Sequence, residues 1–174
     1  MAQAPQETEL LRIAKNDKAV NDSLKWGASL HHRTGLTIDS LIEITTRDRI
    51  LLAKRILVSA RHAISSRPRQ NRLAVARAYY SMYHAARAVV FFRVGGDDFQ
   101  EHSELPKHFP GDFPNRANWE NDLKNARLER NRADYDPYPR GDARFRKTAD
   151  NDVDLARQFL SVAIRYLRSK GCTL

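Results

Sequence analysis

The chain has 174 residues, enough for one domain that buries its own hydrophobic core, and it carries a net charge of +9 at neutral pH. Its single cysteine, Cys172, excludes an intramolecular disulfide. The N-terminus lacks the apolar stretch of a signal peptide, and no apolar run approaches the roughly 20 residues that span a bilayer. We therefore expect a cytoplasmic protein that does not cross a membrane.

The first half of the chain predicts an arm followed by two helices. Residues 1–46 are polar and weakly patterned, so we expect a disordered arm or a short amphipathic helix. From Thr46 apolar residues recur at helical spacing until Pro68 stops the helix. The next helix, at about 71–94, is apolar on nearly every side and should lie at the centre of a bundle. Gly95-Gly96 should end it.

The second half predicts a loop and two further helices. Three prolines at 97–117 indicate a loop, with one helical turn near 103–108. Apolar spacing, capping residues and the following prolines or glycine predict a third helix at about 118–136 and a fourth at about 148–170.

Together these elements predict an all-α fold. No segment alternates with the period of two that strands require, and no internal repeat is present. We predict an up-and-down four-helix-type bundle over residues 47–170, preceded by the arm at 1–46 and followed by a tail at 171–174.

Positive charge is concentrated between Arg47 and Arg93, where eleven basic residues stand against one acid, Asp48. Such a surface attracts polyanions, chiefly nucleic acid, by neutralising phosphates and releasing counterions. A solvated face without a ligand is the alternative, and charge alone does not distinguish RNA from DNA.

Common catalytic motifs are missing from the sequence. The six histidines are scattered and form no His-Glu-x-x-His pair. No glycine-rich phosphate loop and no Gly-x-Ser-x-Gly motif occurs. We therefore expect no metal centre and no cofactor.

Two strings of residues remain as candidates for a site. Arg77, Tyr80, His84 and Arg87 follow one another at helical spacing and form a polar stripe on the apolar helix. They could also be core hydrogen-bonding groups flanked by arginines that reach water. The second string ends the third helix and contains Arg130 and Asp134, whose i, i+4 spacing is also that of an ordinary ion pair.

These strings, Ala78-Tyr-Tyr-Ser-Met-Tyr-His-Ala-Ala-Arg87 and Arg130-Asn-Arg-Ala-Asp-Tyr135, resemble the HEPN superfamily. The similarity is to a prokaryotic subgroup with A-Y-Y-x-M-[FY]-H-A-A-R on one core helix and R-x-x-A-D-Y on a later one, and it covers about residues 47–170. It implies a HEPN-like bundle that forms a homodimer. Many HEPN proteins are metal-independent ribonucleases of toxin–antitoxin and antiviral defence systems, in which an arginine binds phosphate and a histidine moves protons.

The chain departs from that family's catalytic signature, an arginine followed after four to six residues by a histidine. Arg130 and Asn131 match its start, but no histidine follows His108, and Asp134 and Tyr135 occupy the region instead. The resemblance makes these four residues catalytic candidates, with His84 contributing from the neighbouring helix. The arginines expected to bind nucleic acid are Arg77, Arg87, Arg127 and Arg132.

Three functions remain open at this point. The first is an RNA-associated protein of a prokaryotic defence or toxin–antitoxin module, a candidate endoribonuclease with a degenerate motif. The second is a non-catalytic interaction module that binds a partner such as a nucleotidyltransferase, for which Tyr135 is a candidate acceptor. The third is a dimeric scaffold without a ligand.

Overall fold

The structure is a computed structural model that describes residues 5–15, 17–95 and 101–174. No strand occurs within these ranges, so the predicted all-α fold is confirmed. Close contacts divide the chain into two compact units, Met1–Leu41 and Ile42–Leu174. Within the described ranges, no helix is both long and apolar enough to cross a membrane.

The described residues of the first unit are mainly helical. This unit contains α1, Pro5–Ala14, and α2, Lys18–Thr34. The carboxylate of Asp17 begins α2 by accepting hydrogen bonds from the backbone amides of Ala19 and Val20, at 3.1 and 3.3 Å. Gly35 ends the helix with a φ of 68°, which a side chain would disfavour. No residue of α2 is buried, as its weak apolar pattern suggests.

Helix α3, Ile38–Ser65, begins well before the predicted start at Thr46. The hydroxyl of Thr37 accepts a hydrogen bond of 3.1 Å from the backbone amide of Ser40, which is an N-cap interaction. This cap lies outside the strongly apolar pattern, so the sequence analysis placed the boundary too late. The buried face of α3 starts at Thr46 and repeats every three or four residues up to Ala63.

The second unit is a bundle of long helices around α4, Asn71–Val94. The other elements of this unit are a 3-10 turn at Leu105–His108, α5 at Arg116–Tyr135, a 3-10 turn at Asp142–Phe145 and α6 at Arg146–Ser169. Helix α4 packs on α5 and α6, and Ser81 donates a hydrogen bond to the carbonyl of Ala53 on α3 at 2.9 Å. The predicted central position of α4 is confirmed.

Most predicted boundaries hold to within two residues. Helix α4 ends at Gly95, which has a φ of 78°, whereas Gly96 and the first part of the predicted loop, 97–100, lie outside the described residues. The helical turn in this loop is found at Leu105–His108. Helices α5 and α6 each begin slightly earlier than the apolar pattern indicated.

Candidate nucleic-acid interface

In the middle of α4, one stripe of residues remains accessible between buried positions. Arg77 is exposed, and Tyr80, His84 and Arg87 are partly buried. All other residues between Arg77 and Arg87 are buried. The polar stripe predicted from the sequence is therefore the face of α4 on which a ligand could act.

Arg130 of α5 binds to this stripe at Tyr80. Its Nη2 donates a short hydrogen bond to the Tyr80 hydroxyl, and its Nε lies 2.9 Å from Oδ2 of Asp134. Its Nη1 donates to Oδ1 of Asn131 at 2.9 Å. Burial lowers the pKa of Arg130, but the bond to Tyr80 and the nearby negative groups raise it overall, so the guanidinium stays charged.

Aromatic rings flank the same guanidinium. Its central carbon lies 5.0 Å from the ring centre of Tyr80 and 5.2 Å from that of Tyr135, both within cation–π range. Tyr135 is 69% exposed. At the end of α5, a largely buried guanidinium that is ion-paired with Asp134 therefore lies beside an accessible aromatic ring.

A histidine that the sequence analysis did not single out covers the tyrosines of α4. The Nδ1 atom of His102 lies 2.5 Å from the hydroxyl of Tyr79. Its ring stacks on Tyr83 with 4.2 Å between ring centres and 15° between planes, and it meets the Tyr80 ring edge-on at 6.3 Å. His84 also contacts this group, with 5.4 Å between its ring centre and that of Tyr83. We call these five residues the ring cluster.

Four arginines from three helices lower the pKa values of the two histidines in the ring cluster. Burial, together with the positive charges of Arg130, Arg127 and Arg87, lowers the pKa of His102. Burial also lowers the pKa of His84, helped by Arg87 and Arg49. Both imidazoles are consequently neutral at pH 7, and the positive potential at this surface comes from the arginines.

The tyrosines beneath the two histidines keep their protons. Tyr79 is 1% exposed and Tyr83 is 6% exposed. Burial raises the pKa of both phenols above the ordinary tyrosine value. Each therefore remains a neutral hydroxyl that can donate or accept a hydrogen bond.

Arg72 at the start of α4 fixes the end of α5 that carries Arg130 and Asp134. Its Nη1 donates to the carbonyls of Ala133 and Asp136 at 2.8 and 2.9 Å, and its Nη2 donates to that of Pro139 at 2.9 Å. Its guanidinium carbon also lies 4.3 Å from the ring centre of Phe145. One side chain thus satisfies carbonyls both at the end of α5 and in the segment that follows it.

Asp142 fixes the start of α4 in a similar way. Its carboxylate accepts hydrogen bonds from the backbone amides of Asn71 and Arg72, at 2.7 and 2.8 Å, and from the Asn71 side chain at 2.7 Å. Burial raises the pKa of Asp142, but these bonds lower it overall, so the carboxylate is the favoured form. The hydrogen bonds of Arg72 and Asp142 therefore fix the end of α5 and the start of α4, the two helices that carry the motifs found in the sequence.

The structure brings together most of the predicted site residues. Arg130, Asn131, Asp134 and Tyr135 form one contact group, which joins the ring cluster through Tyr80. Three further predicted residues lie at the ring cluster itself: His84, Arg87 and Arg127. The guanidinium carbon of Arg87 lies 5.7 Å from the centre of the Tyr83 ring. The charge of Arg127 lowers the pKa values of His102 and Tyr79.

Two predicted arginines lie apart from these contacts. Arg77 is exposed on α4 one turn before Tyr80. Arg132 forms an ion pair with Glu129, 2.9 Å between Nη1 and Oε1, and the charge of Glu129 acts on Asp152 of α6. Arg132 therefore belongs to a different side of α5 from Arg130.

The residues that sequence reasoning missed are His102, Arg49 and Arg72. His102 lies in a loop without periodic spacing, so no local pattern relates it to the tyrosines of α4. Arg49 stacks on Phe91 at 4.6 Å and Arg72 reaches carbonyls some sixty residues away, and only tertiary packing creates these contacts.

Comparison of the chain with protein-family models, curated proteins and solved structures found no match.

Proposed function

We propose that this protein binds single-stranded RNA at the ring cluster and at the Arg130 group beside it, as an RNA-associated HEPN-type protein of a prokaryotic defence or toxin–antitoxin module. The observation that carries the proposal is the convergence of Arg49, Arg87, Arg127 and Arg130 on one partly exposed cluster of tyrosines and histidines. The resemblance of both strings to HEPN proteins supplies the biological setting.

Arginines and exposed aromatic rings are the two kinds of group that single-stranded nucleic acid needs. Guanidinium groups bind phosphate through charge-assisted hydrogen bonds, and unpaired bases stack on aromatic faces. Arg130 and Tyr135 offer both kinds within 5.2 Å. Asp134 holds the Arg130 guanidinium in place, so less side-chain freedom is lost when a phosphate binds.

Replacing Arg130 by alanine tests this proposal, and Arg132→Ala is a matched control on the same helix. We expect Arg130→Ala to weaken binding of a fluorescein-labelled 20-nucleotide RNA by about tenfold, the effect of one lost phosphate contact of roughly 1.4 kcal/mol. Arg132→Ala should change the affinity less than about twofold, because Arg132 faces Glu129. Fluorescence anisotropy in EDTA measures both. Equal affinities for wild type and Arg130→Ala would contradict RNA binding at this site.

A second candidate function is supported by the exposure of Tyr135. Its side chain is 69% exposed, and it stands at the last position of α5 where another protein can reach the hydroxyl. We propose it as the acceptor if the protein is instead an interaction module whose partner is a nucleotidyltransferase. Co-expression with such an enzyme should then add a nucleotide to Tyr135 but not to a Tyr135→Phe variant. An unmodified intact mass would exclude this version.

A further inference from the structure

Helix α3 carries a regular pattern of exposed residues that lies outside the ring cluster and the Arg130 group. Apolar and basic residues each recur every seven positions along it: Ile44, Leu51 and Val58, and Arg47, Lys54 and Arg61. The two series alternate at intervals of three and four residues, which is the spacing of the contact positions in a coiled coil. We call these six residues the α3 seam.

The α3 seam is directed toward solvent. Leu51 is 41% exposed and Val58 is 64% exposed. The three basic members are also exposed, and Ile44 is partly buried. Arg49, which acts on the ring cluster, follows Arg47 by two residues and therefore projects from nearly the opposite side of α3. The seam is thus a separate surface from the one proposed to bind RNA.

The positive charges of the α3 seam lack acidic neighbours on their own helix. After Asp48 the rest of α3 contains no acid. Lys54 and Arg61 form no hydrogen bond or ion pair within the part of the chain that the structure describes. Two successive heptads therefore each present one apolar side chain and one unpaired positive side chain to solvent.

We propose that the α3 seam is the docking site of an acidic amphipathic helix of a partner protein, which packs on α3 in the manner of a two-stranded coiled coil. Leu51 and Val58 pack against apolar residues of that helix, and its glutamates or aspartates pair with Lys54 and Arg61. From Ile44 to Arg61 the seam runs for about 25 Å along α3, which accommodates between two and three heptads. The proposal does not depend on RNA binding at the Arg130 group.

Charge complementarity identifies this partner. A second copy of α3 would place three basic side chains from each chain in one seam, and like charges at neighbouring positions oppose pairing. A nucleic-acid strand neutralises positive charge but leaves Leu51 and Val58 in water. An acidic amphipathic helix removes the apolar side chains from water and pairs the charges at the same time.

The probes are two fluorescein-labelled helical peptides of four heptads each. In one peptide every leucine is followed after three residues by glutamate, and in the other after four residues, so that they match a parallel and an antiparallel partner helix. Alanine and glutamine fill the other positions. Control peptides carry lysine in place of glutamate. We expect the full-length protein to bind one of the acidic peptides at least about tenfold more tightly than its lysine control, as measured by fluorescence anisotropy at low salt.

Two neighbouring leucines provide a matched test of the apolar half of the seam. Leu51→Ser should weaken binding of the acidic peptide by about tenfold, because its exposed apolar area is no longer buried on docking. Leu52 is 38% exposed, but it projects from a different side of α3. Leu52→Ser should therefore change the affinity less than about twofold.

Reversing the charge of the seam tests its basic half. The double variant Lys54→Glu with Arg61→Glu should bind the lysine peptide more tightly than the acidic one, so that the preference of the wild type is inverted. Arg157→Glu, the same charge change on α6, should leave that preference unchanged. Because the inverted preference is a gain of binding, it also shows that the double variant is folded.

Several outcomes would overturn this inference. Two are an absence of binding by either acidic peptide at about 100 μM, and equal binding of acidic and lysine peptides. If the double variant loses affinity for labelled RNA while no acidic peptide binds the wild type, the seam contacts nucleic acid instead. A wild-type dimer that Leu51→Ser dissociates in sedimentation velocity would make the occupant a second copy. Arg130→Ala tests RNA binding separately, so the two proposals can fail independently.

Discussion

Arg130 and Arg132 show how the position of a residue around a helix decides its role. They are two residues apart on α5, so their side chains project from nearly opposite sides. Arg130 contacts Tyr80 of α4. Arg132 pairs with Glu129, and the negative charge of Glu129 raises the pKa of Asp152 on α6. The sequence analysis took Arg130 as a catalytic candidate and Arg132 as a nucleic-acid-binding arginine, whereas only Arg130 contacts the stripe of α4.

Asp152 is a buried carboxyl group on α6 for which we predict an effect of pH on stability. The residue is 9% exposed, and its Oδ2 has no hydrogen-bond partner. Burial, assisted by the charge of Glu129, raises the pKa of Asp152 to about 7. Because the folded state favours the protonated form, the protein loses stability as the pH rises from about 4 toward 7.

Asp152→Asn should remove this loss. At pH 5 the variant should exceed the wild type in stability by only about 1.5 kcal/mol, because only part of the loss has occurred at that pH. At pH 8 the variant should be more stable, by at most about 4 kcal/mol for a shift of roughly three pKa units. The control Asp154→Asn removes an exposed carboxylate that pairs with Arg157 at 2.8 Å, and it should give no gain at pH 8. A difference that is the same at pH 5 and pH 8 would refute the raised pKa.

At the scale of elements, the end of α5 depends on a side chain from α4. The α5 backbone leaves its last carbonyls without partners inside the helix, and Arg72 donates to those of Arg132 and Ala133 and to those of the segment that follows. Helix α5 therefore holds Arg130 and Asp134 in place only while α4 is docked against it.

Arg72→Ala should destabilise the protein by about 1.5–3 kcal/mol, because it removes four hydrogen bonds from a charged donor to carbonyls, one of them partly buried. Arg77→Ala, an exposed arginine on the same helix, should cost less than about 0.5 kcal/mol. Urea unfolding measures both. Arg72→Lys should recover only part of the loss, since one ammonium group cannot copy the guanidinium geometry. Equal stability of the two alanine variants would contradict a structural role for Arg72.

At the scale of the whole molecule, the structure divides the basic segment into structural and exposed charges. Arg69 pairs with Asp150 at 2.5 Å, Arg72 binds carbonyls, and Arg49 and Arg87 lie on aromatic rings. The exposed basic residues of the segment are Arg47, Lys54, Arg55, Arg61, Arg67, Arg77 and Arg93. Under the proposed function, these exposed charges would neutralise phosphates along a bound strand.

RNA affinity should accordingly fall steeply with salt. If five charges contact phosphates of a single strand, the slope of log K against log salt is about −3.5, or roughly a 100-fold loss between 50 and 200 mM salt. Arg55→Glu should make the slope shallower, whereas Arg157→Glu, the same charge change on α6, should not. Salt-titrated anisotropy measures the slopes. Affinity that is independent of salt would favour the scaffold interpretation.

The helices themselves could be predicted because their signals are local. Apolar spacing, prolines and Gly95 determine where α4 and most of α5 and α6 begin and end, since helical hydrogen bonds join residues four apart. The start of α3 was placed too late because its cap at Thr37 precedes the apolar pattern. The accessible stripe on α4 also followed from spacing alone.

By itself the sequence determined that α4 is a central helix with a polar stripe, because that property needs only residue type and the helical period. Only the tertiary structure decided which groups meet the stripe. His102 reaches Tyr79 across a loop, and Arg130 reaches Tyr80 across fifty residues, so both contacts depend on how separate helices pack.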